Sequence, residues 1–297
     1  MGQAMLPIPD PDCPSHRWQA GPASPEGVPL YRLRRGASPL LVSMPHVGIV
    51  VPPWLATRLT PAALPLADTD WHLPRLYDFL GALDATVLVA THSRFVIDLN
   101  RPPDGANLYP GQDTTGLVPV DTFRREPAYR DGDAPDVAQI ERRRESYWRP
   151  YHAALAAEIE RLHAAHGGVA LWEAHSIASE LPRFFHGRLT DLNFGTGRGA
   201  ACAPGYSAAI LAPVQAQSDY SWVLNGRFTG GYITRHYGRP GDNVHAIQLE
   251  MSQIVYMDET APFGLRADRS AKLRPLLEAC VRAARDWVVA TGHHRRG

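Results

Sequence analysis

Three side chains of this 297-residue chain stand where an α/β protein keeps its chemistry: His46, His175 and Glu250. Ligands of an open α/β sheet bind outside the carboxyl ends of its strands. His46 follows the apolar run PLLVSMP (39–45), His175 ends GVALWEAH (168–175), and Glu250 lies inside VHAIQLEMS (244–252). Neutral imidazole nitrogens at strand ends suit zinc. A carboxylate between Leu249 and Met251 is costly to bury unless it has a partner or a task. The task that fits is a general base that takes a proton from an activated water and passes it to a leaving nitrogen. A catalytic zinc takes three protein ligands and keeps one open position. The spacing His-x-x-Glu fails here, because position 49 is Ile. The acidic candidates lie in ADTDWH, where Asp70 is preferred, with Asp68 and His72 as alternatives; both aspartates could equally be helix caps.

Cations accompany these groups. Arg94, Asn100 and Arg101 lie in SRFVIDLNRP, and Arg235 lies in GGYITRHY beside Gly230 and Gly231. Guanidinium pairs bidentately with carboxylate, so these residues point to a small anionic substrate. The run Gly195-Thr196-Gly197-Arg198-Gly199 lacks the spacing of a phosphate loop and reads as a flexible loop near the pocket. No GxSxG elbow is present, which argues against a serine hydrolase.

The elements that must position these residues follow from pattern. The first ~30 residues, rich in Pro, Gly and Ser, read as an irregular lead-in with an early edge strand. Residues 39–45 and 85–91 read as buried strands, and RFVIDL (94–99) as a third. WHLPRLYDFLGAL (71–83) has apolar residues at helical spacing. The Pro-, Gly- and Asp-dense stretch from Leu99 to Asp136 reads as a functional loop. Asp136 to His166 reads as one amphipathic helix, capped by Asp136 and stopped at Gly167-Gly168. Residues 168–175 form a strand, 176–207 a loop, 244–252 a late strand, and Asp268 to Val289 a closing helix before a solvated tail (290–297) that includes His293, His294, Arg295 and Arg296. The expected product is one α/β domain over 1–297, with a mixed, mostly parallel central sheet flanked by helices.

Composition narrows the function further. Lys+Arg and Asp+Glu are each 30, which argues against a nucleic-acid partner. Cys13, Cys202 and Cys280 are far apart, form no thiolate zinc site and fit a reducing compartment. No basic region precedes an apolar run at the start, and no stretch reaches the ~18 to 20 apolar residues of a membrane span, so the expectation is a soluble, cytoplasmic protein with no membrane partner. The sequence carries no signal for an oligomeric state.

Seven segments, in order, resemble the N-formylglutamate amidohydrolase family, especially its histidine-catabolic branch. They are SMPHVG (43–48), DTDWHLPRLYDF (68–79), SRFVIDLNRP (93–102), YHAALAAEIERLH (151–163), EAHSI (173–177), NGRFTGGYITRHYG (225–238) and HAIQLEMSQIVYMDE (245–259). The resemblance implies a fold like that of the zinc carboxypeptidases, the phosphorylase/hydrolase-like class. It implies His46, Asp70 and His175 as ligands of zinc, or of another divalent metal such as Co, Fe or Mn, and Glu250 as the base. Arg94 would polarise the formyl oxygen or help hold the substrate. Asn100 with Arg101 would hold one carboxylate and Arg235 the other. The implied reaction is hydrolysis of N-formyl-L-glutamate to formate and L-glutamate, the last step of a histidine degradation route. The competing expectations are a deacylase of another N-acyl amino acid and a non-catalytic binding protein on the same scaffold.

Overall fold

A computed structural model describes residues 18–292. The first part of the expected lead-in with Cys13, and the tail residues His293, His294, Arg295 and Arg296, lie outside the described residues. Eight strands form one sheet in the order β1-β2-β4-β3-β5-β8-β6-β7. They are β1 Gln19–Ala20, β2 Tyr31–Arg34, β3 Leu40–Met44, β4 Thr86–Ala90, β5 Val169–Ile177, β6 Leu192–Gly195, β7 Trp222–Leu224 and β8 Val244–Ser252. The central strands β4, β3, β5 and β8 run parallel. Antiparallel neighbours flank them: β2 beside β4 and β6 beside β8. The sheet is therefore mixed with a parallel centre, as expected, and the early strand β1 sits at its edge.

The helices are α1 Pro53–Ala56, α2 Leu73–Leu76, α3 Val137–Arg143, α4 Arg149–His166, α5 Pro204–Gln215, α6 Tyr232–Tyr237 and α7 Ala267–Gly292. On one face α5 and α7 bury Tyr206, Ile210, Val214, Leu273, Leu277, Val281 and Ala284 against Trp172, Ile247 and Leu249. On the other, α4 and α6 bury Tyr151, Leu155, Ile159, Leu162 and Ile233 against Leu41, Leu88, Val169, Leu171 and Ala246. Each fully buried aliphatic side chain is worth about 1.5–3 kcal/mol. Among the described residues no helix is long and apolar enough to cross a membrane.

Strand alternation sets up the site. In β5, Ala170, Trp172 and Ala174 belong to the first core, while Val169 and Leu171 belong to the second. Period-2 alternation therefore puts Glu173 and His175 on the second face, beyond Leu171. β8 repeats the pattern: Val244 and Ala246 pack on the second face, and Gln248 and Glu250 follow on it. The pairing register sets His175 opposite Glu250 and Glu173 opposite Gln248. One face of two adjacent strands thus changes from apolar to ionisable at the carboxyl ends.

Four expectations change. RFVIDL is a turn, not a strand: the Val96 amide donates to Ser93 O at 2.9 Å, and the Arg94 and Asp98 side chains meet at 2.5 Å. An extended strand would hold them about 13 Å apart. Residues 71–83 split into α2 and a 3-10 turn at Asp78–Gly81, because Tyr77 leaves helical geometry (φ −97°, ψ 28°) to bury its ring, whose hydroxyl accepts from Trp172 Nε1 at 3.3 Å. The long helix is interrupted by a π turn at Arg144–Trp148. Pro150 enters α4 there without an N–H to donate, and the wider turn absorbs the missing bond. The predicted ends hold: Asp136 accepts from Gln139 N at 2.7 Å, and Gly167 takes φ 73°. Finally, the loop expected at 176–207 contains β6 and the start of α5; a four-residue strand with Asn and Gly is too short and too mixed to show a period. The loop from Leu99 to Asp136 contains no helix or strand, as expected.

The second core carries a pH-sensitive tie. His152 on α4 is stacked on Trp148 at 3.6 Å, and its Nε2 donates to Leu99 O at 2.8 Å. That leaves Nδ1 to accept from Tyr237 Oη at 3.0 Å. Burial pushes its pKa from 6.5 down to about 3. Below its ordinary pKa the unfolded chain binds a proton that the folded chain refuses, so stability present above pH 6.5 is lost as pH falls towards 3. Urea unfolding should show His152→Asn to be less stable at pH 7 but with a flatter loss between pH 6.5 and 4.5. Parallel pH slopes in the two proteins would contradict this account.

Candidate active site

His46, Asp70 and His175 are buried and converge, with one ligand atom from each lying within 4.8 Å of the others. His46 follows β3, and its loop presses against the end of β4. A Cβ on Gly48 would lie 2.2 Å from His92 O, so this approach requires glycine. Asp70 is 24 residues downstream, yet its backbone N–H donates to His46 O at 3.0 Å and locks the two loops together. The alternatives to Asp70 face elsewhere. The Asp68 carboxylate accepts from Phe123 N at 2.9 Å, and burial raises its pKa to about 6. His72 Nε2 donates to Phe263 O at 2.6 Å.

The imidazoles are oriented by carboxylates that the sequence reading did not single out. His46 Nε2 donates to Asp98 Oδ1 at 2.7 Å, and His175 Nε2 donates to Glu173 Oε2 at 3.1 Å. Both Nδ1 atoms face Asp70 Oδ2, at 3.8 Å from His46 and 3.0 Å from His175. Such carboxylate–imidazole pairs fix the ring and raise its basicity as a metal ligand. Burial opposes charge on Asp98, but His46 and Arg94 outweigh it and hold the carboxyl well below its usual range. Burial likewise opposes charge on His175, yet Asp70 and Glu173 hold its pKa well above the ordinary value. Burial wins at His46, whose pKa is lowered, so the carboxylates of the cluster hold positive charge at His175. Glu173 Oε1 is buried with no hydrogen-bond partner among the described residues. Around these imidazoles the buried carboxyls of Asp70, Asp98 and Glu173 outnumber the single guanidinium buried beside them, that of Arg94. This nitrogen-and-oxygen donor set fits a divalent cation.

Glu250 completes the group. Burial raises its carboxyl to about 8, against the pull of His175. Gln248 Nε2 donates to it at 3.3 Å, and Asn193 Nδ2 holds its backbone carbonyl at 3.1 Å. Asn100 accepts from Ile233 N at 2.9 Å through Oδ1, which turns its amide nitrogen towards His175 Nε2, 3.0 Å away. Gly231 must stay a glycine, since a Cβ there would lie 2.3 Å from Asn100 Nδ2.

A pocket opens over these residues. Its cations are Arg94, Arg101 and Arg227. Arg94 stacks on Phe123 at 4.5 Å. Arg101 is steadied by Thr115 O at 2.9 Å, and Arg227 by Phe184 O at 2.7 Å and Asp113 O at 3.0 Å. The Asp113 carboxylate on the rim is paired with Arg125 and Arg183. Arg235 takes a different place. Its guanidinium donates to Gly230 O, Leu108 O and Thr229 Oγ1 and stacks on Tyr109, outside the pocket lining. Arg227 lies in the same segment as Arg235, in NGRF just after β7, but no local period marks it as the one that faces inward.

A family model described as N-formylglutamate amidohydrolase matches residues 38–257. A Pseudomonas aeruginosa protein named N-formylglutamate deformylase is 48% identical over 258 residues, covering 87% of this chain and 97% of that protein. A Pseudomonas putida protein of the same name is 46% identical over 258 residues, covering 87% and 96%. Among solved structures, an N-formylglutamate amidohydrolase from Ralstonia eutropha JMP134 superposes with a TM-score of 0.72 at 23% identity, covering 90% of this chain and 98% of that one. An Agrobacterium tumefaciens protein superposes at 0.63 with 18% identity, covering 86% and 94%. These two structures share the fold.

Proposed function

This chain belongs to the N-formylglutamate amidohydrolase family, and from that premise we propose that it is a metal-dependent hydrolase that cleaves N-formyl-L-glutamate to formate and L-glutamate. The observation that carries this reading is the convergence of His46, Asp70 and His175 beside Glu250 in a pocket rimmed by arginines. His46, Asp70 and His175 would hold the metal, with zinc the preferred ion for two imidazoles and a carboxylate. When bound there, such an ion would supply Lewis acidity for the formyl carbonyl and for water. Glu250 takes the proton from the attacking water and delivers it to the departing α-nitrogen. A carboxyl raised by burial exchanges protons near neutral pH, which suits both transfers.

Arg94, fixed by Asp98, faces the developing oxyanion. Arg101, with the Asn100 amide beside it, and Arg227 read the two carboxylates. Arg235, expected from sequence to bind substrate, instead supports Tyr109 and the Gly230 turn in this reading. The reaction fits the last step of a histidine degradation route, where the formyl group is removed to release glutamate. One hydrolytic domain is sufficient for it: two adjacent strands of a single sheet supply His175 and Glu250, and loops of the same domain supply His46, Asp70, Arg94, Asn100, Arg101 and Arg227.

Substrate choice tests the reading. Formyl release from N-formyl-L-glutamate should exceed acyl release from N-acetyl-L-glutamate by about 10²-fold in kcat/KM, since a pocket fitted to the small acyl group rejects an added methyl by that order. N-formyl-L-leucine should be poorer still, because it leaves one arginine unpaired. Equal or better turnover of the acetyl compound would move the assignment to another acyl-glutamate.

A further inference from the structure

Away from the active site, a cavity of about 390 Å³ opens between α1 and α3, and three arginines line it: Arg58, Arg142 and Arg143. We propose that this cavity is a second binding site, for a small inorganic tetrahedral oxyanion of the phosphate or sulfate type.

The central observation is Arg143. It is 3% exposed and pairs with no carboxylate among the described residues. Its Nη1 donates inward, to Phe95 O at 3.3 Å, Val96 O at 3.2 Å and Tyr129 Oη at 2.7 Å. Its face stacks on Trp54 at 4.8 Å. Nε and Nη2 are left buried without a hydrogen-bond partner. A buried guanidinium with no counter-charge is costly, and an anion in the cavity beside it supplies that charge.

The neighbours strengthen the case. Arg58 gives Nη1 to Gln139 Oε1 at 2.7 Å and Nη2 to Asp133 O at 2.5 Å, while its Nε makes no hydrogen bond and only a long ion pair with Asp133 Oδ1 at 3.9 Å. Arg142 is exposed on α3 and makes no ion pair among the described residues. Ser146, on the π turn, adds a hydroxyl to the lining. Positive charge from three side chains around one cavity suits a compact tetrahedral oxyanion better than a planar carboxylate. The one carboxylate in the lining, Glu26, is occupied by neutral donors: Trp54 Nε1 at 2.7 Å and Tyr147 Oη at 2.9 Å. It forms no ion pair with the three arginines. None of these residues belongs to the proposed catalytic machinery. Arg143 does reach it indirectly, since Phe95 and Val96 lie between Arg94 and Asp98 on the turn that orients His46.

Titration calorimetry of inorganic phosphate into the metal-loaded wild-type protein tests the site, with sulfate and formate as parallel arms. The expected result is one saturable event for phosphate and sulfate, weaker for formate. It should weaken at least tenfold in both Arg58→Gln and Arg143→Met. Arg58→Gln keeps the proposal testable if Arg143→Met fails to fold, and its kcat/KM without phosphate should stay near that of the wild type. Absence of saturable binding up to about 10 mM phosphate would overturn the proposal. So would binding that persists unchanged in Arg58→Gln, because the ion would then sit in the metal pocket.

Discussion

Replacing Glu250 by glutamine should lower kcat on N-formyl-L-glutamate by about 10²- to 10⁴-fold, the range that one positioned proton-transfer group contributes. The change is nearly isosteric. The amide oxygen can still accept from Gln248 Nε2, and the backbone contact to Asn193 is untouched. The carboxyl is costly to bury, which is why its pKa stands at about 8, and a neutral amide avoids that cost. The Glu250→Gln protein should therefore melt at the same temperature or higher. Its bound metal should remain at wild-type stoichiometry, because Glu250 is not one of the three converging ligands. Loss of a transition-state interaction lowers kcat and kcat/KM together and leaves KM nearly unchanged. Turnover within a few-fold of wild type would show that another group moves the proton. Metal loss in the variant would show that Glu250 is a ligand instead.

The second large effect concerns the metal. Chelation should abolish activity, and one equivalent of zinc per chain should restore it. Asp70→Ala should leave a protein that no longer retains metal through gel filtration. Asp68→Asn should retain it, because the Asp68 carboxylate is occupied by the Phe123 amide. This contrast separates two acids only two residues apart. Asp98→Asn should weaken metal affinity by about 10- to 100-fold, the effect of removing a carboxylate that orients a ligand imidazole. Metal binding also adds to folding stability, so added zinc should raise the melting temperature of the wild type and not that of Asp70→Ala. Equal metal content in Asp68→Asn and Asp70→Ala would overturn the ligand set.

Much of this molecule was legible in its sequence, and the limits of that legibility have physical causes. The buried strands β3, β4, β5 and β8 appear as apolar runs because both faces of a parallel centre are covered. His175 and Glu250 were legible for the complementary reason: an ionisable residue inside such a run has nowhere neutral to go. Period-2 alternation then placed both on one face, and adjacent parallel strands did the rest.

Tertiary structure decided what has no period. Nothing local distinguishes Asp70 from Asp68; a backbone hydrogen bond to His46 does. RFVIDL has the composition of a strand, but the pairing of Arg94 with Asp98 and the docking of Asp98 N on Leu117 O turn it into the loop that holds His46. Arg227 faces the pocket and Arg235 does not, because one follows a short strand and the other is fastened to the carbonyls of a neighbouring loop. The chain by itself thus fixed which groups must be inside, since burial is written in the pattern of each segment. Which of those groups meet was settled by long-range packing of loops, where the partner of a polar atom lies tens of residues away and leaves no trace in the segment that needs it.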